Sequence, residues 1–152
     1  MSTLNYYIPT YRVSLVRDGS VRGDAPRPVT KTPESLAVIL GSGVIPDDGR
    51  EHFGIAMLDV RHRLIGLHEV SVGCLTSSLV HPREVFCPAV TSKAAAIVLY
   101  HNHPSGDPEP SAEDGALTQR LVQGGMLLGI EVLDHIVLGD GRYVSFKQRG
   151  RI

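Results

Sequence analysis

Between Ala95 and Asp114 the chain passes from a short apolar run, Ala95-Ala96-Ile97-Val98-Leu99-Tyr100-His101, into Asn102-His103-Pro104-Ser105-Gly106-Asp107-Pro108-Glu109-Pro110-Ser111-Ala112-Glu113-Asp114. The run has the length and character of a strand buried within a sheet. Side chains two apart on a strand point the same way, about 7 Å apart. His101 and His103 therefore leave one face together, and two imidazoles can converge on one cation. Ser111 reads as the start of a helix with Asp114 in its first turn, and the intervening prolines restrict φ and stiffen the link. Hydrolytic zinc typically takes three ligands from His and carboxylate and keeps a fourth position for water. His101, His103 and Asp114 are candidate ligands for such a Zn2+. Each part also has a plainer reading: paired histidines can be polar residues at a sheet edge, and Ser111-x-x-Asp114 has the form of a capping box.

The rest of the chain supplies a sheet for that strand. Tyr11 to Arg17 alternates, with Tyr11, Val13 and Leu15 on one face, and reads as a strand followed by an Asp18-Gly19 turn. Residues 20–31, with Gly23, Pro26 and Pro28, read as a connector. Thr32-Pro33 starts a helix, a hydroxyl cap followed by proline, and Gly41 is the expected stop. Glu51 to Asp59 and Leu64 to Val72 read as a hairpin with its turn near Arg61-His62. His81-Pro82 opens a helix to about Lys93, in which Pro88 is expected to kink or break the backbone. A helix from Ser111 to about Gln123 is expected to end at Gly124-Gly125. Val132 to Leu138, a Gly139-Asp140-Gly141 turn and Tyr143 to Phe146 complete the set. The expectation is an α/β fold, a mixed central β-sheet flanked by helices. Residues 1–31 form an N-terminal strand and connector extension, and residues 32–152 one domain.

Composition narrows the function classes. The chain has 152 residues, enough for one ordinary core, and a formal net charge of −1, which gives no global footprint for nucleic acid. A local basic bias lies in Arg12, Arg17, Arg22, Arg27 and Lys31, read as a solvated arm. Cys74 and Cys87 fit no C-x-x-C spacing and read as free thiols packed as small hydrophobes. No signal-peptide pattern opens the sequence and no apolar run approaches membrane-spanning length, so a soluble, cytoplasmic protein without a membrane partner is expected. His52, His62 and His68 are read as surface residues, His81 as a helix-start residue, and His135 as a hydrogen-bonded sheet histidine or a group behind the ligands.

Taken together, H-x-H, seven residues, Ser, two residues, Asp matches the motif of the JAMM metalloproteases, the MPN or JAB domain. The wording from His101 to Ser111 resembles the bacterial RadC family most closely. Val80-His81-Pro82-Arg83-Glu84-Val85-Phe86, Leu133-Asp134-His135-Ile136-Val137 and Tyr143-Val144-Ser145-Phe146 extend the likeness over about residues 50–152. The resemblance implies a JAB/MPN (cytidine deaminase-like) fold, with His101, His103 and Asp114 as zinc ligands and Ser111 helping to hold a tetrahedral intermediate. It also implies a glutamate on an early strand as general base. Glu51 sits where that residue falls, with Glu69 and Glu84 as rivals by residue type. The implied activity is a zinc-dependent metallohydrolase that cleaves a peptide or isopeptide bond in a peptide or protein substrate. The alternative is a non-catalytic JAB/MPN interaction domain associated with DNA repair or nucleic acid. RadC proteins commonly carry an N-terminal helical module of the helix-hairpin-helix kind, which the proline-rich first thirty residues do not resemble.

Overall fold

A computed structural model describes residues 9–19, 30–73 and 80–152. The connector around Gly23, Pro26 and Pro28 and the Cys74 thiol lie outside the described residues. Helix α1 spans Pro33–Ile39, and the strands and helices that follow are β1 (Glu51–Leu58), β2 (Leu64–Gly73), α2 (Pro82–Thr91), β3 (Ala96–Asn102), α3 (Ala112–Leu128), β4 (Glu131–Gly139) and β5 (Arg142–Ser145). The sheet is mixed, in the order β2-β1-β3-β4-β5, with β3 and β4 parallel and the other neighbours antiparallel. The expected α/β class with helices flanking a mixed sheet is what the chain forms.

β3 is central because its sequence lets it be. Ala96 to His101 are all buried, and an uninterrupted apolar strand is stable only where both faces are covered. One face carries Ile97 and Leu99, packed with Phe53, Ile55 and Met57 of β1 under α2 and α3. The other carries Ala96, Val98 and Tyr100, packed with Ala56, Leu58 and the α1 residues Leu36 and Leu40. Burial of a side chain such as Leu99 stabilises the fold by about 1.5–3 kcal/mol, so the site at the end of β3 rests on a rigid base.

Helix starts follow the sequence signals. Thr32 caps α1 by accepting the Ser35 N–H, and His81 caps α2 by accepting the Arg83 N–H on Nδ1. Ser111 caps α3 in a complete capping box with Asp114.

Four local expectations differ from the structure. Tyr11 to Arg17 joins no strand and is exposed throughout, because alternation alone supplies no neighbour to bond with. The α1 segment does not stop at Gly41: a wide helical turn, Leu40–Val44, carries it on to Gly43, whose φ of 96° makes the break. Pro88 does not break α2. The bond it removes belongs to the Glu84 carbonyl at the exposed start of the helix, where water can serve. Finally, α3 runs through Gly124-Gly125 and ends at Gly129 in the left-handed conformation (φ 69°). A Cβ at Gly124 would come within 3.2 Å of the Phe86 ring, and one at Gly125 would press into the Ile130 carbonyl oxygen. Those glycines let α2 and the approach to β4 lie close against α3.

Candidate metal centre

The site forms where β3 ends and α3 begins. His103 continues the β3 pairing by donating its backbone N–H to the Leu138 carbonyl of β4 (2.8 Å). The proline-rich link is seated on the end of β4: a Cβ at Gly139 would collide with the backbone of Gly106 and Pro108. The Arg142 guanidinium also donates to the Gly106 carbonyl (3.3 Å). The start of α3 is thereby held over the tip of β3, and one ligand atom from each of His101, His103 and Asp114 lies within 4.8 Å of the others. His101 is fully buried and Asp114 is 4% exposed, while His103 reaches the surface.

The donor set tests whether a cation fits. His103 Nδ1 lies 2.8 Å from the Asp107 carbonyl oxygen, which can only accept, so Nδ1 carries the proton and Nε2 presents a lone pair. That lone pair faces His101 Nε2 at 3.0 Å, and the two nitrogens lie 3.4 Å from Asp114 Oδ2 and Oδ1 respectively. Burial would raise the Asp114 carboxyl, but contact with His101 and the Ser111 N–H outweigh it and hold the pKa well below the usual carboxylate range. An ionised carboxylate and two inward-facing imidazole nitrogens, that of His103 carrying a lone pair, leave a place between them that a cation or a proton can fill. Two histidines and one aspartate are the donors zinc takes, so the residues fit a metal ion.

Ser111 is exposed, and both halves of the capping box form: Oγ accepts the Asp114 N–H at 3.1 Å, and the Ser111 N–H donates to Asp114 Oδ2 at 2.7 Å. The hydroxyl proton remains to be donated. The plain capping role is therefore present, and it fixes the carboxylate of a candidate ligand.

The three glutamates separate by location. Phe53 of β1 pairs with His101, so alternation puts Glu51, Phe53, Ile55 and Met57 on the His101 face. Continuing that register by two residues sets Glu51 opposite His103. The Asn102 side chain reinforces the alignment, accepting the His52 N–H (2.7 Å) and donating to the Arg50 carbonyl (2.9 Å), the peptide groups on either side of Glu51. Glu69 pairs with Gly54 and holds His52 Nδ1 at 2.7 Å, on the other face of the sheet. Glu84 is exposed on α2 beside Arg83.

Two other sequence readings change. His52 is buried, not a surface residue, because Asp48 and Glu69 take its two ring nitrogens at 2.9 and 2.7 Å. Cys87 is exposed on α2 and is not packed as a small hydrophobe. His81 is the helix cap expected of it. His135 is fully buried on β4, with Nε2 2.8 Å from His101 Nδ1 and Nδ1 2.6 Å from the Thr118 hydroxyl of α3. Burial, with His101 beside it, pushes its pKa well below the usual histidine value. Thr118 drew no notice from the sequence. Its one available signal was position, i+4 from Asp114 on the helix.

Sequence comparison places these features in a family. A model of the RadC-like JAB domain matches residues 30–151. A "UPF0758 protein" of Rubrobacter xylanophilus is 46% identical over 140 residues, covering 92% of this chain and 61% of the relative. One from Desulfitobacterium hafniense (strain DSM 10664 / DCB-2) is 50% identical over 124 residues, 82% of this chain and 54% of the relative. One from Pelobacter propionicus is 56% identical over 104 residues, 68% and 45% respectively. The chain spans about half the length of the curated relatives it matches. With a family match across the sheet, the Pro-rich link and all three candidate ligands, this chain belongs to the RadC-like JAB domain family.

Proposed function

We propose that the chain is a zinc-dependent metallohydrolase that cleaves a peptide or isopeptide amide bond. The observation that carries this reading is the convergence of a nitrogen of His101, a nitrogen of His103 and the Asp114 carboxylate, all within 4.8 Å of one another. Bound zinc supplies Lewis acidity, lowering the pKa of a coordinated water to about 7 and polarising a carbonyl. His101 and His103 would hold the ion through Nε2, and Asp114 through its carboxylate, which Ser111 keeps in place from the cap. Glu51, on the His101 face, takes a proton from the attacking water and delivers it to the leaving amine. The Ser111 hydroxyl donates to the developing oxyanion. The substrate is a peptide or protein chain that presents its carbonyl at the exposed His103 side of the site.

The test is metal content and cleavage of a peptide library by wild type, Glu51→Gln and His103→Ala. Wild type is expected to hold one zinc and cleave. Glu51→Gln keeps the zinc and loses about 10²–10⁴-fold in turnover, and His103→Ala loses the metal. Zinc kept with cleavage unchanged in Glu51→Gln removes Glu51 as the base. A tightly held zinc with no hydrolysis of any peptide or ubiquitin-like conjugate favours a non-catalytic interaction domain instead.

A further inference from the structure

We infer that His135 and Thr118 are positioning residues that fix the proton of His101 on Nδ1 and so keep Nε2 open as a metal ligand. This rests on the reading of His101 as a ligand, but the proton's location is decided by hydrogen bonds alone.

The direction of the chain of bonds starts at Asp114. Its backbone carbonyl accepts the Thr118 hydroxyl at 2.6 Å, one helical turn on, and a carbonyl has no proton to give. The single Thr118 hydroxyl proton is therefore committed to Asp114. The Thr118 oxygen also lies 2.6 Å from His135 Nδ1, so that bond must be filled by a proton on Nδ1. Were the hydroxyl turned toward His135, two oxygens 2.6 Å apart would face each other with no proton between them.

The His135 ring is fully buried, edge-on to Phe53 and stacked on Phe146 with centroids 4.9 Å apart. A ring in that apolar sandwich is neutral, because burying its charge is costly. With Nδ1 protonated, Nε2 carries the lone pair. The 2.8 Å contact to His101 Nδ1 then requires a proton on His101 Nδ1. In the neutral His101 ring that binds a metal, Nε2 is then the nitrogen with the lone pair, aimed at His103 and Asp114.

The relay joins three elements. α3 supplies both Asp114 and Thr118, β4 supplies His135, and β3 supplies His101. The helix that brings the carboxylate ligand also dictates, through two hydrogen bonds, which nitrogen of a histidine ligand is free. Outer partners of this kind are commonly carboxylates or backbone carbonyls. Here the acceptor is an imidazole whose own tautomer is fixed by a threonine.

The experiment uses the full chain, stripped of metal, with ¹⁵N-labelled histidine. Long-range ¹H–¹⁵N correlation spectra distinguish protonated from unprotonated ring nitrogens, and zinc affinity is measured in parallel by competition with a chelating dye. In wild type, His101 Nδ1 and His135 Nδ1 are expected to be protonated and His135 Nε2 not. Thr118→Val is isosteric and removes the acceptor of the His135 proton. That proton is then free to move to Nε2, which needs His101 Nδ1 as acceptor and drives the His101 proton onto the ligating nitrogen. Zinc affinity is expected to fall about 10–100-fold, and Thr118→Ser is expected to restore both the spectrum and the affinity.

An unprotonated His101 Nδ1 in wild type overturns the proposal without reference to any variant. So does a Thr118→Val protein with wild-type spectrum and wild-type zinc affinity. If wild type shows the expected protons but takes up no zinc, the relay stands and the metallohydrolase reading fails.

Discussion

Each face of the sheet buries a histidine close to the same strand ends, and the two are put to opposite uses. His52 lies on the α1 face with both ring nitrogens taken by carboxylates, Asp48 at 2.9 Å and Glu69 at 2.7 Å. Burial works to lower its pKa, but those two carboxylates outweigh it and raise it above the usual 6.5. Both carboxylates can only accept, so both ring nitrogens carry protons, and the charged ring ties the loop before β1 to β2. His101 lies on the opposite face, with one nitrogen bonded to another imidazole and the other facing His103 and Asp114. The contrast lies in the partners, not in burial, since both rings are nearly inaccessible. A buried histidine closed by two anions is a structural ion pair, whereas one closed by a neutral acceptor keeps a lone pair for a metal.

The largest separation between the two faces should come from removing each histidine in turn. His101→Asn is expected to lower zinc affinity by more than about 100-fold, beyond the range expected for an outer partner. His52→Gln should leave zinc affinity unchanged. Isothermal titration with zinc on both variants makes the comparison, and a large loss in His52→Gln would mean that the faces are not independent.

A stability measurement sharpens it further. Zinc at about 100 times its dissociation constant should stabilise wild type by about 2.7 kcal/mol, and Asp114→Asn should lose most of that gain. Gly54 lies on the His52 face, where a Cβ would collide with the Tyr100 ring and the His68 carbonyl. Gly54→Ala is therefore expected to cost about 1–3 kcal/mol while leaving the zinc-dependent increment intact. Urea unfolding with and without zinc reads both effects.

The smallest expected effect is pH dependence at His52. Its folded pKa is raised, so the folded state holds the proton more tightly than the unfolded chain. The clasp's contribution is fully present below the unfolded value near 6.5 and is lost as pH rises through the raised folded value. Metal-free wild type should lose more stability than metal-free His52→Gln as pH rises from about 6.5 through the raised folded value. Equal slopes in thermal melts across that range would show that His52 is not the cation described.

The same contrast explains what was legible. H-x-H at the end of an apolar run, a serine cap and an aspartate in the first turn are local signals, and the structure brings His101, His103 and Asp114 together. The β1–β2 hairpin and the three helix starts are equally local. The end of α3 was not, because a glycine pair signals either a stop or a close approach, and only the presence of Phe86 and Ile130 beside the helix decides between them. His52, read as a surface residue, and His135, left with two readings, escaped for a related reason. Their partners lie on other elements: Glu69 is 17 residues from His52, and His101 is 34 from His135.

The sequence alone determined the candidate ligand types, their spacing and the order of strand, stiff link and helix, because each follows from backbone periodicity and capping over a few residues. The tertiary structure decided which face each carboxylate occupies. It put Glu51 on the His101 side and Glu69 with His52, through the register of β1 against β2 and β3. It also decided which nitrogen of His101 is free, through a hydrogen-bond chain crossing α3, β4 and β3. A tautomer depends on where donors and acceptors meet in space, and no stretch of sequence short enough to be read locally contains all of them.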